Sequence, residues 1–179
     1  MEKGIEKVLV SEEEIKQICK KLGEQISKDY EGKKLLLVSV LKGAIVFMAD
    51  IMRNITCDCE IDFMAVSSYS GTKTTGVVKF KKDLDINPDG CDILLVEDIL
   101  DSGITLSYLK GVLLDRHAAS IKVCAFLDKP ANRQADIKAD YVGKVIPDEF
   151  VVGYGLDYDE KYRNLPYVGV LSPEVYSKK

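Results

Sequence analysis

Acidic and hydroxyl side chains cluster directly after a short apolar run near the middle of the chain, and together they could bind a sugar phosphate. The acids are Glu97, Asp98 and Asp101, and the hydroxyl groups are those of Ser102 and Thr105, with Gly103 and Ile104 between them. The hydroxyl groups and the N–H groups of a helix start attract a phosphate, whereas nearby carboxylates repel it. The conflict disappears if the acids bind sugar hydroxyls or Mg²⁺ while the Ser102–Thr105 loop holds the phosphate. The pattern therefore predicts a sugar phosphate ligand and leaves open whether a metal accompanies it.

Each of these residues also has a plainer interpretation. Glu97, Asp98 and Asp101 could be solvated loop acids, and Ser102 could be an ordinary helix N-cap, because such caps are common. Their concentration behind one buried strand favours the binding site.

Three strand-like runs would position these residues. Ile93–Val96 is apolar and β-branched, as in a buried parallel strand, and should end at Glu97 and Asp98. Helical spacing follows at Leu106, Leu109 and Leu113. Leu35–Leu41 and Ser120–Leu127 resemble this strand, and they lead to Lys42-Gly43 and to Lys129. Parallel strands place their carboxyl ends at one edge, so we expect these residues to share a crevice.

The remaining elements complete an α/β fold with a mainly parallel, twisted sheet flanked by helices. A capping-box helix is predicted from Ser11, and a further strand over Glu60–Val66. The polar stretch Ser67–Gly76 predicts a loop that could cover a site, with Val77–Phe80 as its returning arm.

Composition bounds the class of protein. The chain has 179 residues, 46% of them hydrophobic, and a formal net charge of −4, which favours a single domain and disfavours a nucleic-acid-coating surface. Its five cysteines are scattered, as in a reduced, cytoplasmic protein. No signal peptide and no membrane span are predicted. The single histidine, His117, lies at a predicted helix end and receives no role.

Two segments carry a specific resemblance. Val96–Thr105 resembles the phosphoribosyl-pyrophosphate signature of the type I phosphoribosyltransferases. Pro147–Tyr158 closely resembles the base-binding hood of the hypoxanthine branch of that family, and the likeness extends from about Leu35 to Leu171. The signature alone identifies the superfamily, and the later segment selects the purine branch.

The resemblance implies a function and a fold. The function is purine salvage: Mg²⁺-dependent transfer of the 5-phosphoribosyl group from phosphoribosyl pyrophosphate to hypoxanthine, with guanine as a second substrate. The fold would be a single catalytic domain, 1–179, with a core at about 30–135 and a hood formed by the N-terminal residues and about 140–179. A homodimer or homotetramer is implied, and neither a nucleic acid nor a membrane as partner.

The resemblance also assigns residues. Asp101 would be the catalytic acid or base at purine N7. The residues that hold the phosphoribosyl group would be Glu97, Asp98, Asp101, Ser102, Gly103, Ile104 and Thr105. The pyrophosphate group would be bound by Lys42, Gly43 and Arg163, the purine by Lys129, Phe150, Val151 and Asp157, and the metal by Glu97, Asp98 and Asp157. Ser68 and Tyr69 would belong to a flexible lid. Whether the Leu41–Lys42 peptide is cis stays open.

Other functions compete with this one. The acceptor could be xanthine, adenine or a pyrimidine, although a lysine at position 129 suits a 6-oxo group better than an amino group. A regulator of the same fold that binds RNA is a second alternative, disfavoured by the acidic charge. A Rossmann-type nucleotide-binding protein is a third, and the chain lacks its Gly-x-Gly-x-x-Gly fingerprint.

Overall fold

The computed structural model describes residues 2–68 and 78–177. In chain order its elements are β1 (Ile5–Val10), α1 (Glu12–Asp29), β2 (Leu35–Leu41), α2 (Ile45–Asn54), β3 (Cys59–Ser68), β4 (Val78–Lys82), β5 (Asp92–Leu100), α3 (Ile104–Asp115), β6 (Ser120–Asp128), a 3₁₀ turn (Pro130–Asn132), β7 (Tyr141–Val145), β8 (Val151–Val152), β9 (Val168–Leu171) and α4 (Pro173–Tyr176).

A six-stranded sheet with the order β4-β3-β2-β5-β6-β7 forms the centre of the fold. All neighbouring strands in it are parallel except β4, which returns antiparallel to β3 at one edge. The chain builds outward in one direction from β2 and in the other from β5. The gap between β2 and β5 at their carboxyl ends is therefore the topological switch point, where α/β sheets bind ligands.

Successive side chains of the central strands point to opposite faces of the sheet, so the core has two layers. In β2, Leu35 and Leu37 pack on the side of α1 and α2, while Leu36 and Val38 pack on the side of α3. Side chains of a strand point to opposite faces in turn, so apolar residues at every position place helices on both faces. The predicted fold class, a mainly parallel sheet flanked by helices, is confirmed.

The second, smaller sheet has the order β1-β9-β8 and lies within the residues that were predicted to form the hood; below, this sheet and its adjoining residues are called the hood. Its first strand was not predicted, because Ile5–Val10 is short, does not alternate strictly between polar and apolar residues, and pairs with a strand at the far end of the chain. Strand β7 lies inside the range expected for the hood, yet it pairs with β6 in the large sheet.

Two local expectations are corrected. Strand β5 does not end at Glu97 and Asp98 but continues to Leu100, because β6 still pairs with it beyond the last residue that faces β2. The plainer interpretation of Ser102 as the N-cap of α3 is also wrong: the N-cap is Gly103, with a left-handed φ of 77°, and no side chain caps the helix. The helix expected from Ser11 is confirmed, since the Ser11 hydroxyl accepts a hydrogen bond from the Glu14 N–H at 3.2 Å.

Three further observations concern the described residues. Within residues 2–68 and 78–177, no helix has the length and apolar character needed to cross a bilayer. All five cysteines are free thiols; Cys19 and Cys124 are buried and the others are half-buried. His117 follows α3 and is exposed, with a φ of 65°.

Candidate functional site

The crevice opens where β2 and β5 separate. The two strands pair only as far as Ser39 and Val96, after which β2 leads into Lys42-Gly43 and β5 continues beside β6. The Leu41–Lys42 peptide is cis. The backbone of Gly43 then lies against the carboxylate of Asp98, since a Cβ built on Gly43 would be 1.8 Å from Asp98 Oδ2.

The two adjacent acids of β5 are desolvated. Asp98 is 8% exposed, and its Oδ1 accepts a hydrogen bond from the Ile99 N–H at 2.8 Å. Burial raises the pKa of Asp98 to about 6. Burial, together with the neighbouring Asp98, raises the pKa of Glu97 well above its ordinary value. Glu97 Oε2 is buried and has no hydrogen-bond partner among the described residues, so this pair is suited to receive hydroxyl groups or a cation.

The loop that follows β5 forms a small cavity at the start of α3. The cavity has a volume of about 160 Å³. It is lined by residues of β5, of the loop and of the first turn of α3: Glu97, Ile99, Leu100, Asp101, Ser102, Gly103, Thr105 and Leu106. The Ser102 hydroxyl lies 3.4 Å from the Ile104 N–H, and no acidic side chain occupies the first turn of α3. The N-terminus of this helix is therefore electrostatically suited to an anion.

Lys129, immediately after β6, connects this loop with the hood. Its side chain is 10% exposed, and its ammonium group lies 3.2 Å from Asp148 Oδ1 and 3.7 Å from Asp101 Oδ2. It also donates a hydrogen bond to the Glu149 carbonyl at 3.3 Å. A cation held in this way lies directly between Asp101 and the segment that carries Phe150.

Phe150 supplies an aromatic surface at the edge of the hood. It is 41% exposed, and its ring stacks on that of Tyr176 with centroids 5.1 Å apart. The ring of Tyr158 meets Phe150 edge-on at 5.8 Å. Val151, the next residue, is buried in β8. The contact of Tyr176 could not be predicted from the sequence, because an isolated tyrosine carries no positional signal.

Lys42 and Arg163 are brought together by an acid that sequence reasoning missed. Glu160 lies 3.1 Å from the Lys42 ammonium and 3.3 Å from Arg163 Nη2. Arg163 Nη1 lies 2.9 Å from Asp157 Oδ1 and donates to the Gly155 carbonyl at 2.8 Å. These cations are thus paired with carboxylates that an incoming anion would have to replace. The signal for Glu160 was its position three residues before Arg163.

The expected metal ligands are not assembled as a protein-only site. In the described part of the chain, no group of three or more His, Cys, Asp or Glu side chains could hold a metal ion. Asp157 forms an ion pair with Arg163 and accepts a hydrogen bond from the Glu160 N–H at 2.9 Å. Glu97 and Asp98 do fit Mg²⁺, which commonly uses one or two carboxylates together with substrate oxygens and water.

Part of the predicted lid is outside the described residues. Ser68 is the last residue of β3, and its backbone pairs with Val78 of β4. The returning arm therefore exists as β4. Tyr69 lies beyond the part of the chain that is described.

The chain is similar to several known proteins over nearly its whole length. Residues 8–159 match the family described as the phosphoribosyl transferase domain. The chain is 56% identical over 179 residues to the hypoxanthine-guanine phosphoribosyltransferase of Lactococcus lactis, with 99% of this chain and 97% of the relative covered. It is also 56% identical over 177 residues to the enzyme of the same name from Bacillus subtilis, with 98% of each chain covered. A crystal structure of a hypoxanthine phosphoribosyltransferase from Staphylococcus aureus is similar with a TM-score of 0.93 and 53% identity, covering 97% of this chain and 95% of that one.

Proposed function

The chain belongs to the phosphoribosyl transferase family, and from that premise we propose that it transfers the 5-phosphoribosyl group of phosphoribosyl pyrophosphate to hypoxanthine and guanine. The products are the purine mononucleotide and pyrophosphate, and the role is purine salvage. The names of the full-length relatives support this activity. The observation that carries it in the geometry is Lys129, which bridges Asp101 and the segment bearing Phe150.

The phosphoribosyl end of the donor suits the β5–α3 loop. The N–H groups at the start of α3, with Ser102 and Thr105, would hold the 5′-phosphate far from the bond that breaks. Glu97 and Asp98 would bind the ribose 2′- and 3′-hydroxyls. Holding a remote group in this way fixes the orientation of the reacting carbon, a contribution of several kcal/mol in favourable cases.

The leaving group suits the cations across the crevice. When the C1′–oxygen bond breaks, pyrophosphate gains negative charge, and Lys42, the backbone of Gly43 and Arg163 would stabilise it. The guanidinium of Arg163 offers a planar fork to phosphate oxygens. The anion would replace Glu160, which now pairs with both cations.

Magnesium is part of the proposal. Glu97 and Asp98 would hold it, and Asp157 would approach a second ion after release from Arg163. Bound Mg²⁺ would supply charge neutralisation for the pyrophosphate group.

The base suits the hood. Phe150 would stack on the purine, the backbone of Val151 would hydrogen-bond to it, and Asp157 would lie near its 2-position. Lys129 would donate a hydrogen bond to the 6-oxo oxygen of the purine. Adenine carries a 6-amino group there, which cannot accept such a bond. Asp101 would take or return the N7 proton as purine N9 forms its bond to C1′.

A spectrophotometric screen tests the activity. Purine and pyrimidine bases are each mixed with the enzyme, phosphoribosyl pyrophosphate and Mg²⁺, and nucleotide formation is followed. Hypoxanthine and guanine should react, and adenine and the pyrimidines should not. Xanthine as the sole substrate would move the assignment to another branch of the family, and the absence of transfer to any base would refute the proposal.

The assembly and location are further parts of the proposal. A homodimer or homotetramer in the cytoplasm agrees with the family resemblance and with the free cysteines. Size-exclusion chromatography with light scattering would distinguish these assemblies from a monomer.

A further inference from the structure

Arg133 lies beneath the loop that carries Asp101. It follows the 3₁₀ turn after β6, and its side chain is 17% exposed. Its aliphatic stem packs under the start of α3, since a Cβ built on Gly103 would be 3.1 Å from Arg133 Cδ. No step of the proposed reaction uses this half-buried cation.

The Arg133 guanidinium joins the loop to the strand beside it. Its Nε donates to the Asp101 carbonyl at 2.8 Å, and its Nη2 donates to the Leu100 carbonyl at 3.0 Å. Nη2 also pairs with the carboxylate of Asp128, and Nη1 donates to the Ile137 carbonyl at 2.8 Å. A planar fork with fixed N–H directions holds these acceptors in one arrangement, which an ammonium group could not do.

The carboxylate of Asp101 makes no close contact that would fix its own direction. Its Oδ1 is buried without a hydrogen-bond partner among the described residues. Its Oδ2 is 3.7 Å from the Lys129 ammonium, beyond hydrogen-bond distance. The direction of this side chain therefore depends on the main chain at Leu100 and Asp101, which Arg133 holds.

The neighbouring phosphate loop is anchored independently. The Ser102 carbonyl accepts from the N–H groups of Gln134 at 2.9 Å and Ala135 at 3.1 Å. These are backbone bonds that do not use the Arg133 side chain. Loss of the guanidinium should then disturb Asp101 more than the residues that bind the 5′-phosphate.

We propose that Arg133 is a positioning residue that fixes the main chain at Leu100 and Asp101 and so aims the Asp101 carboxylate at the purine. The inference rests on the proposed function. It predicts that loss of the Arg133 guanidinium lowers the rate of the chemical step and leaves the affinity for the donor unchanged.

The test is the variant Arg133→Lys. It keeps a positive charge for Asp128 but cannot span the carbonyls of Leu100 and Asp101. We expect kcat to fall by about 10²-fold, because an error of about 1 Å in a reacting group has this effect. The KM for phosphoribosyl pyrophosphate should change by less than about threefold, because the contacts that bind the donor equally in the ground state and the transition state are preserved.

Arg116→Lys is the matched control. Arg116 also makes a two-pronged ion pair, with both nitrogens 2.7 Å from the carboxylate of Asp83, but it lies at the opposite end of α3 from the loop. This variant should retain wild-type kcat and KM. Circular dichroism and thermal melting of both variants report whether each is folded.

The outcomes separate the inference from the function on which it rests. An inactive wild-type enzyme would refute the proposed function. An active wild type with a folded, fully active Arg133→Lys variant would refute the role of Arg133 alone. Equal losses in both arginine variants, or a donor KM that rises as much as kcat falls, would also overturn that role.

A second variant tests the inference if Arg133→Lys does not fold. Arg133→Gln combined with Asp128→Asn removes the half-buried carboxylate that would otherwise lose its partner, and the folded double variant should show the same selective loss of kcat. If neither form folds, Arg133 is a general stability residue and the inference is wrong.

Discussion

Gly43 and Asp98 approach each other so closely that only a hydrogen fits between them. A Cβ at position 43 would lie 1.8 Å from Asp98 Oδ2 and 2.9 Å from its Cγ. One residue follows β2 and the other lies in β5, so this contact marks where the two halves of the crevice meet. The proposed leaving-group loop is thus held directly against the acid proposed to bind ribose.

Replacing Gly43 with alanine should separate these two elements. The added methyl group must displace either the Lys42-Gly43 backbone or the Asp98 carboxylate by more than about 1 Å, and misplacement of that size costs about 10²-fold in rate. We expect kcat/KM for phosphoribosyl pyrophosphate to fall by at least this factor in steady-state assays.

Gly111→Ala is the matched control for this substitution. Gly111 lies inside α3, and a Cβ there would meet no atom within 4 Å. The variant should keep full activity and gain about 0.5–1 kcal/mol in free energy of unfolding, because alanine favours the helix. Unchanged donor kinetics in Gly43→Ala would show that the contact is not needed for catalysis.

Asp101→Asn should lower turnover while donor binding is retained. Asparagine keeps the size of the side chain but cannot take a proton from purine N7, and loss of general acid–base catalysis typically costs about 10²–10⁴-fold. Presteady-state turnover and calorimetric titration with phosphoribosyl pyrophosphate measure the two quantities. Asp136→Asn, at an exposed position nearby, serves as the control. Full turnover in Asp101→Asn would remove Asp101 from the mechanism.

The sequence predicted the central fold because local signals and global topology agree there. Apolar runs over Leu35–Leu41 and Ser120–Leu127 are typical of strands that are buried on both faces of a parallel sheet, and the rule for carboxyl ends then locates the crevice. The close match to β5 and its loop in a known family added residue assignments that periodicity could not supply.

The rest depended on contacts that have no sequence signature. Strand β1 pairs with β9 about 160 residues away, and neither strand is long or strongly alternating. The role of Arg133 is invisible in the sequence because its main partners are backbone carbonyls, which every residue has. The extension of β5 past Asp98 depends on pairing with β6, which a local apolar pattern does not report.

Lys129→Ala should weaken the binding of the purine and spare the donor. The ammonium contacts Asp148 and Glu149 of the hood, on the side where the 6-oxo oxygen is expected. Loss of a charge-assisted hydrogen bond costs about 1.5–3 kcal/mol, which corresponds to a rise of roughly tenfold or more in the KM for hypoxanthine. The exposed Lys138→Ala is the control. A loss of donor affinity with unchanged purine affinity would show that the base pocket lies elsewhere.

Asp62 gives a prediction about pH and stability, remote from the proposed reaction. This carboxylate is 4% exposed at the edge where β4 returns to β3. Burial alone would raise its pKa, but the N–H groups of Ile86, Phe63 and Asp85, with the Lys82 ammonium, lower it below the ordinary value of 3.8. A lowered folded-state pKa means that the unfolded chain binds the proton more tightly, so this stabilisation is present above about pH 4 and is lost as the pH falls through the folded pKa.

Asp62→Asn should therefore destabilise the protein at neutral pH but not in acid. We expect the free energy of unfolding at pH 7 to fall by about 1.5–3 kcal/mol, the contribution of hydrogen bonds to a charged group. The difference from the wild type should shrink toward zero below the folded pKa, where Asp62 is itself neutral. Urea titrations from pH 3 to 7 measure this, with the exposed Asp89→Asn as the control. A difference that is independent of pH would mean that the charge of Asp62 contributes nothing and that its hydrogen bonds act as neutral ones.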